Sequence, residues 1–319
     1  MDVKRQDYLI RVAQLYYQDG LSQAAVATAL GISRPTVSNL LKECRESGIV
    51  EIRIQSPSSS GHQLAQELQE TFGPFGLEKA FVVPRSVDEE ESVREAARTA
   101  AAYLNPRLAE LQRIAISWGT SLYHLAQQLK APSGGRFEVA QLHGGLGSRN
   151  PEVDGFELAR GLARKLGAEY HLIQAPALVN SLVLRDMLME EPSIRRSIEL
   201  CERADIALLG ISPDDPQGSA LVRAGFISEE ESQALLEKGS VGHICCYHYD
   251  ARGSTEAFEV NGRVIGVATE RLKQIPLRVA VACGARKAEA IAGALRGGFL
   301  SVLITDEPAA LRIVKRAES

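Results

Sequence analysis

Three glycine-bearing turns hold the residues of this 319-residue chain best suited to grip an anion. Ser117-Trp118-Gly119-Thr120-Ser121 closes the apolar run RIAISW and leads straight into a helix. Main-chain N–H groups at such a start, with the Thr120 and Ser121 hydroxyls beside them, suit a phosphate lying on the positive end of the helix dipole. Gln141-Leu142-His143-Gly144-Gly145 ends the run FEVAQL, and Cys283-Gly284-Ala285-Arg286-Lys287 follows LRVAVA. In the last of these, Gly284 lets the backbone approach a ligand while Arg286 and Lys287 neutralise it. One such turn alone is more often a plain strand-to-helix connection. Three of them, each after an apolar run, mark the edge at which open α/β sheets hold ligands. None is a P-loop or a dinucleotide fingerprint: GGLGSRN lacks the third glycine, and no G-x-G-x-x-G joins a strand to a helix.

A second polar set lies near the N-terminus, in LSQAAVATALGISRPTVSNLLKECRESG, residues 21–48. With Val37, Leu40, Leu41 and Cys44 turned inward, Ser33, Arg34, Thr36, Ser38, Asn39 and Lys42 remain on the outer side of one helix. Arginine suits guanine, asparagine suits adenine, and serine, threonine and lysine suit either base edges or phosphates. Segment 33–45 carries three basic residues against one acidic, so a positive patch is local although the whole chain has a net charge of −4. Such a unit is also compatible with a helical interaction module that has a polar face.

Two further groups invite chemistry. His243, Cys245, Cys246 and His248 in HICCYH are all metal-ligand types, but on one continuous strand 243 and 245 would face away from 246 and 248, so no metal site is expected. Asp205, Asp214 and Asp215 flank DIALLGIS without forming an evident acid and base pair, and no catalytic residue or cofactor is assigned.

The elements that must position these residues can be read from spacing. Residues 1–54 read as helix, helix, tight turn, helix and strand: Leu9, Val12, Ala13, Leu15 and Tyr16 recur helically before Gly20. Ser22 caps a helix whose apolar residues are Ala25, Val26, Ala29 and Leu30. Gly31 ends it, and Pro35 sits in the first turn of the next, which Gly48 closes. IVEIRI alternates as a strand, the wing of a winged helix-turn-helix from which Arg53 reaches a phosphate. SPSSSG, 56–61, is a polar breaker and the expected linker between a DNA-binding domain at 1–55 and a larger domain at 62–319.

Beyond it, 62–73 and 89–104 read as helices around the short strand AFVVP. Apolar runs then alternate with amphipathic helices through DGFELARGLARKLG, a helical stretch from Val183 to Arg203, LRVAVACG and FLSVLITD. That order predicts an α/β domain with a mostly parallel sheet covered on both faces. GHICCYHYDARGS and VNGRVIGVA read as an inserted hairpin region.

A hydrophobic fraction of 45% with 24% charged residues excludes a largely disordered chain. No apolar run reaches the ~18 residues of a membrane span, and the start MDVKRQDYLIRV lacks a signal-peptide core, so a cytoplasmic protein is expected. Five cysteines without a C-x-x-C pair point to reduced thiols.

The N-terminal residues resemble the SorC family of sugar-responsive transcriptional regulators. The resemblance rests on Tyr16-Tyr17, Ser22-Gln23, Leu30, Ile32-Ser33-Arg34, Val37-Ser38, Leu40-Leu41 and Gly48. It extends over the whole chain through Ser117 to Ser121, Gln141 to Gly145, Gly210-Ile211, Val241 to Ile244 and Gly284 to Lys287, and is greatest for the deoxyribonucleoside regulator branch. The resemblance implies a winged helix-turn-helix that contacts double-stranded operator DNA through Ser22, Gln23, Ser33, Arg34, Thr36, Ser38, Asn39 and Lys42. It implies an effector domain folded like the sugar-phosphate isomerases, a homodimer or homotetramer, and repression of a carbohydrate or nucleoside operon.

A phosphorylated sugar would lie among Gly119, Thr120, Ser121, His143, Gly144, Gly145, Gly284, Arg286 and Lys287, with the phosphate on Thr120, Ser121 and Lys287. Where that branch uses a lysine to form an imine with its sugar, this chain has His143, which has no primary amine; His143 then either bonds a hydroxyl or is structural. His243 replaces the usual aspartate of the Val241 to Ile244 segment. An alternative from another class is a sugar-phosphate isomerase or deaminase with an N-terminal assembly module.

Overall fold

In a computed structural model of the chain, which describes residues 3–50, 59–131, 137–145, 147 and 151–317, apolar residues at helical spacing fold the N-terminus into three helices. The chain divides into two compact units between Ser56 and Pro57. Helix α1, Val3–Ala13, runs into one π turn, Gln14–Gln18, before Gly20 at φ 69°. Helix α2, Gln23–Leu30, and helix α3, Arg34–Glu46, flank Gly31, whose left-handed φ of 65° makes the sharp turn a side chain would resist. Leu9, Val12, Val26, Val37, Leu40, Leu41 and Cys44 form the buried core of this unit. In α2 the inward face is Val26, Ala27 and Leu30; Ala29, expected inside, is exposed because the i, i+1, i+4 set turns it aside. Val50 donates its N–H to the Cys44 carbonyl at 2.9 Å, while the expected wing strand from Glu51 onward and Arg53 lie outside the described residues.

The second unit starts within the polar stretch, because Ser59, Ser60 and Gly61 already form the first turn of α4, Ser59–Phe72. Residues 56–58 lie outside the described residues. Strands β1 (Lys79–Val83), β2 (Arg113–Ile116), β3 (Glu138–Gln141), β4 (Glu169–His171) and β5 (Ile206–Leu209) join two late strands, β9 (Leu277–Val281) and β10 (Val302–Asp306). They form one seven-stranded sheet in the order β1-β10-β9-β5-β2-β3-β4, with every pairing parallel. Parallel strands need crossovers, and these are helices α5 (Glu89–Leu104), α6 (Thr120–Gln128), α7 (Gly155–Leu166), α13 (Ala288–Arg296) and their neighbours. Both faces are buried: Ile114 and Ile116 of β2 join the cluster that holds Leu104, Leu122 and Leu162, and Ala115 joins the one that holds Leu142 and Ile291. The helices α14 (Glu307–Ala317) and α4 both pack along β1.

The helical stretch after Ser181 is two helices, α8 (Leu182–Glu190) and α9 (Pro192–Glu202). Pro192 forces Glu191 out of helical geometry, to ψ 127°, and then starts α9 without needing an N–H. Between β5 and β9 the chain builds helices α10 (Ala220–Ala224), α11 (Glu229–Glu237) and α12 (Thr269–Leu272), and a small antiparallel sheet of β6 (Ser212–Pro213), β7 (Ser240–Ile244) and β8 (Tyr247–Asp250). A hairpin is present at 240–250, but it turns back inside HICCYH, not between that segment and VNGRVIGVA. VNGRVIGVA instead makes a 3-10 turn, Glu259–Arg263, and then isolated bridges Leu178↔Val264 and His143↔Gly266. All five cysteines are free thiols and buried.

Leu40 is 3% exposed in the core of the three-helix unit. Leu40→Ala should lower the stability of the three-helix unit by about 2–5 kcal/mol. Hydrogen exchange is expected to speed up in peptides from residues 3–50 and to stay unchanged in those from β2, β5 and β9.

Candidate ligand pocket and nucleic-acid interface

The N-terminal unit presents its polar side chains from α3. Ser33, Arg34, Thr36, Ser38, Asn39 and Lys42 are all exposed, on the face opposite Val37, Leu40 and Leu41. Two expected contact residues also hold the helix starts. The Ser33 hydroxyl accepts from the Thr36 N–H at 3.3 Å and lies 2.7 Å from the Thr36 hydroxyl, and the Ser22 hydroxyl accepts from the Ala25 N–H at 3.2 Å. Gln23, half-buried, opens α2. Arg5 crosses from α1 to Glu43 of α3 at 2.7 Å, an exposed pair that fixes orientation more than it adds stability. The resulting geometry is a helix pair about a Gly31 turn whose second helix offers its first turns outward, the arrangement that enters a major groove.

In the second unit, strand order reverses between β2 and β5, and a cavity of about 650 Å³ opens there. Trp118, Gly119, Thr120 and Ser121 follow β2, Gly210 to Pro213 follow β5, and Arg286 and Lys287 follow β9; all line the cavity. Gly119 adopts φ 119° and serves as N-cap of α6 with no side-chain cap. Its own N–H goes to the Val153 carbonyl at 3.0 Å, while a helix start leaves its first-turn N–H groups without intrahelical partners. Glycine is required at 210, since a Cβ there would lie 2.8 Å from the Trp118 carbonyl oxygen.

The charges on the cavity wall are mixed. Arg223, Arg286 and Lys287 face Glu89 and Glu90. Arg286 already holds Asp215, with Nε donating to Oδ2 at 3.1 Å, and Arg223 donates to the Gly218 carbonyl at 2.9 Å. Lys287 is half-buried with no ion-pair partner among the described residues, and burial pulls its amine below the usual lysine range. It is the cation most available to an incoming anion.

Four expected effector residues do not line this cavity: His143, Gly144, Gly145 and Gly284. His143 is fully buried; Nδ1 donates to the Gly144 carbonyl at 2.9 Å, which fixes the tautomer, and Nε2 accepts from the Ser117 hydroxyl at 3.0 Å. Burial pushes His143 down to about 4, so it is neutral at physiological pH. Gly144 is there for space: a Cβ would sit 2.3 Å from the Ala175 carbonyl oxygen, and Gly145 meets a separate hollow beside Phe156 and Pro176. Gly284, at φ 101°, donates its N–H to Asp306 at 3.0 Å and passes beside Glu89, shaping the turn that presents Lys287.

Sequence reading did not assign Arg223 or Glu89 to the site, because the helices that carry them come from distant parts of the chain. HICCYH departs from the expected single strand. Cys245 and Cys246 take φ 48° and 69° and form a two-residue turn, so His243 and His248 become cross-strand neighbours on one side. Each donates Nδ1–H to Asp214, at 2.7 Å to Oδ1 and 2.7 Å to Oδ2. Burial alone would raise the Asp214 carboxyl, but the two imidazoles hold it well below the usual carboxylate range; burial lowers His243. Cys245 borders the cavity, and burial pushes its thiol up to about 12, so it stays protonated.

A helix pair about a tight turn in one unit and a cavity at a sheet switch point in the other fit the class of ligand-responsive DNA-binding proteins. The family described as "Putative sugar-binding domain" matches residues 58–315, and the family described as "Homeodomain-like domain" matches residues 5–51. The deoxyribonucleoside regulator of Bacillus subtilis is 33% identical over 98% of this chain and 99% of its own. The sorbitol operon regulator of Klebsiella pneumoniae is 31% identical over 96% and 97%. The crystal structure of that full-length regulator, SorC, superposes with a TM-score of 0.86 at 30% identity, covering 98% of this chain and 99% of the other. The chain belongs to the SorC family of sugar-responsive transcriptional regulators and is a DNA-binding transcriptional regulator with a sugar-binding domain.

Because the folded protein holds His143 neutral while an unfolded chain protonates it near pH 6.5, the stability it contributes is present above that pH and is lost as pH falls toward 4. Between pH 7.5 and pH 5 the wild type should lose about 2 kcal/mol more than His143→Gln in urea unfolding.

Proposed function

We propose that the chain is a repressor of a carbohydrate or nucleoside catabolic operon, and that a phosphorylated sugar entering the cavity between β2 and β5 shifts it off its operator. One observation carries the effector reading. An uncapped helix start, two hydroxyls at Thr120 and Ser121 and the half-buried amine of Lys287 border one cavity. N–H groups, hydroxyls and a cation are the donor set for a phosphate. Ser212, Gln217 and Glu90 also line the cavity and offer donors and acceptors for hydroxyl groups. Relatives named for deoxyribonucleosides and for sorbitol support a sugar or nucleoside-derived effector. With His143 sealed behind Ser117, we assign non-covalent binding.

In the N-terminal domain, 1–55, Arg34 and Asn39 read base edges, Ser38, Thr36 and Lys42 contact base edges or phosphates, and Ser22, Gln23 and Ser33 position the helix starts at the backbone. The larger domain, 62–319, serves as effector and oligomerisation domain. Helix α8 buries no residue and exposes Leu182, Val183, Leu184 and Met187, the last at 64%, an apolar face suited to a second copy of the chain. A dimer or tetramer matches a two-fold operator. No helix among the described residues is long and apolar enough to cross a membrane, and we place the protein in the cytoplasm with its DNA. Effector and operator then compete through differential affinity for two arrangements, a coupling of about 5–150-fold in systems of this kind.

In mobility-shift titrations with the protein's own promoter region, Arg34→Ala and Asn39→Ala should each weaken specific binding about 5–150-fold, equivalent to ~1–3 kcal/mol. Retention of full specific affinity in both would remove α3 from the interface. In a thermal-shift panel, phosphorylated sugars should raise the wild-type melting temperature, and Lys287→Ala should abolish that rise while responding unchanged to dephosphorylated controls. An undiminished shift would place the phosphate elsewhere.

A further inference from the structure

Behind the cavity wall, Asp214, His243 and His248 form a cluster that the phosphate reading does not use. Asp214 follows β6, and the two histidines stand opposite each other on β7 and β8, with ring centroids 5.3 Å apart and planes at 56°. Each imidazole Nδ1 lies 2.7 Å from a different oxygen of the one carboxylate, and the three ligand atoms fall within 4.8 Å of one another. All three side chains are at most 2% exposed.

Two features of this cluster are unusual for a purely structural network. The partners of the carboxylate are two imidazole N–H groups and the Ser240 hydroxyl, and among the described residues no lysine or arginine bonds to it. A buried carboxylate normally needs a cation close by. Both Nε2 atoms are also buried without a partner among the described residues, so each ring is hydrogen-bonded at one nitrogen only.

We propose that Asp214, His243 and His248 bind one divalent transition-metal ion of the zinc type. Imidazole nitrogen with carboxylate oxygen suits zinc, whereas calcium and magnesium select oxygen donors. At metal–ligand lengths of about 2.0–2.2 Å, a tetrahedral ion holds its donors ~3.4 Å apart. The Nδ1 atoms, now 2.7 Å from the carboxylate oxygens, would therefore have to shift to admit the ion. The ion takes each Nδ1 lone pair while the ring proton transfers to Nε2, so no net proton is lost and the carboxylate keeps its charge. Ser240 is positioned to be a fourth ligand or to hold a water in that place. His243 borders the cavity, which gives the ion a way in. Once bound, it joins β7 and β8 to the segment after β6 and stiffens the wall that carries Ser212 and Pro213.

The test uses the full chain, stripped with chelator and titrated with Zn²⁺ in a calorimeter. One equivalent should bind, with a rise in melting temperature, and Asp214→Asn and His248→Gln should each weaken binding by at least about tenfold. Absorption fine structure at the zinc edge of the loaded wild type should count two imidazoles with oxygen and no sulfur. That spectrum decides the matter if either variant does not fold. No uptake by the wild type, unchanged uptake in both variants, or sulfur from Cys245 or Cys246 in the first shell would each overturn the assignment.

Discussion

Gly210 passes so close to the Trp118 carbonyl that no side chain fits between them, and this contact fixes how near the ends of β2 and β5 can come. The whole ligand site depends on that approach. Strands β2, β3 and β4 run outward on one side of the switch point and β5, β9 and β10 on the other, so the turns after β2 and β5 diverge and leave a cavity between them. The start of α6 then borders the hollow with no side-chain cap among the described residues. Filling that gap with side-chain caps would have stabilised the helix and closed the site.

The glycines and polar residues around the cavity divide the work. Gly119 and Gly284, both at positive φ, aim the turns, and Gly144 lets two chain segments touch. His143 and Ser117 satisfy each other behind the wall, so this pair braces the end of β2 and has no surface to offer a ligand. A neutral buried imidazole with a fixed tautomer is well suited to such a role. In the N-terminal unit the division is similar: apolar residues on one side of α3 leave its other side polar and exposed, and Ser33 uses its hydroxyl at the helix start.

Much of the architecture was legible from spacing. Helix α5 spans Glu89–Leu104, as the alanine-rich pattern requires, because Asp88 caps it and small residues at helical intervals face the sheet. The helix-turn-helix was legible for the same reason: Ser22, Gly31, Ser33 and Pro35 are local signals whose effect does not depend on distant chain. Local signals also failed in identifiable ways. Alternation in HICCYH predicts one strand, yet the sheet bends back at Cys245-Cys246, two residues that do not favour positive φ by themselves and take it because both neighbouring strands are pinned by β6 and Asp214. Which of its two open roles His143 takes was not legible, because a turn pattern does not say which side of the backbone a buried ring occupies; it lies off the cavity, bonded to Ser117.

The sequence by itself determined the class of protein: capping residues, turn glycines and hydrophobic periods act over a few residues, and they specify a helix-turn-helix followed by a parallel α/β unit. Tertiary structure alone decided which polar groups share a site. Glu89, Arg223 and Lys287 come from separate parts of the chain and meet only because the strand order brings β2, β5 and β9 side by side. Asp214, His243 and His248 meet only because a hairpin turns back, since through-space proximity follows from pairing register and crossover, neither of which local residue spacing encodes.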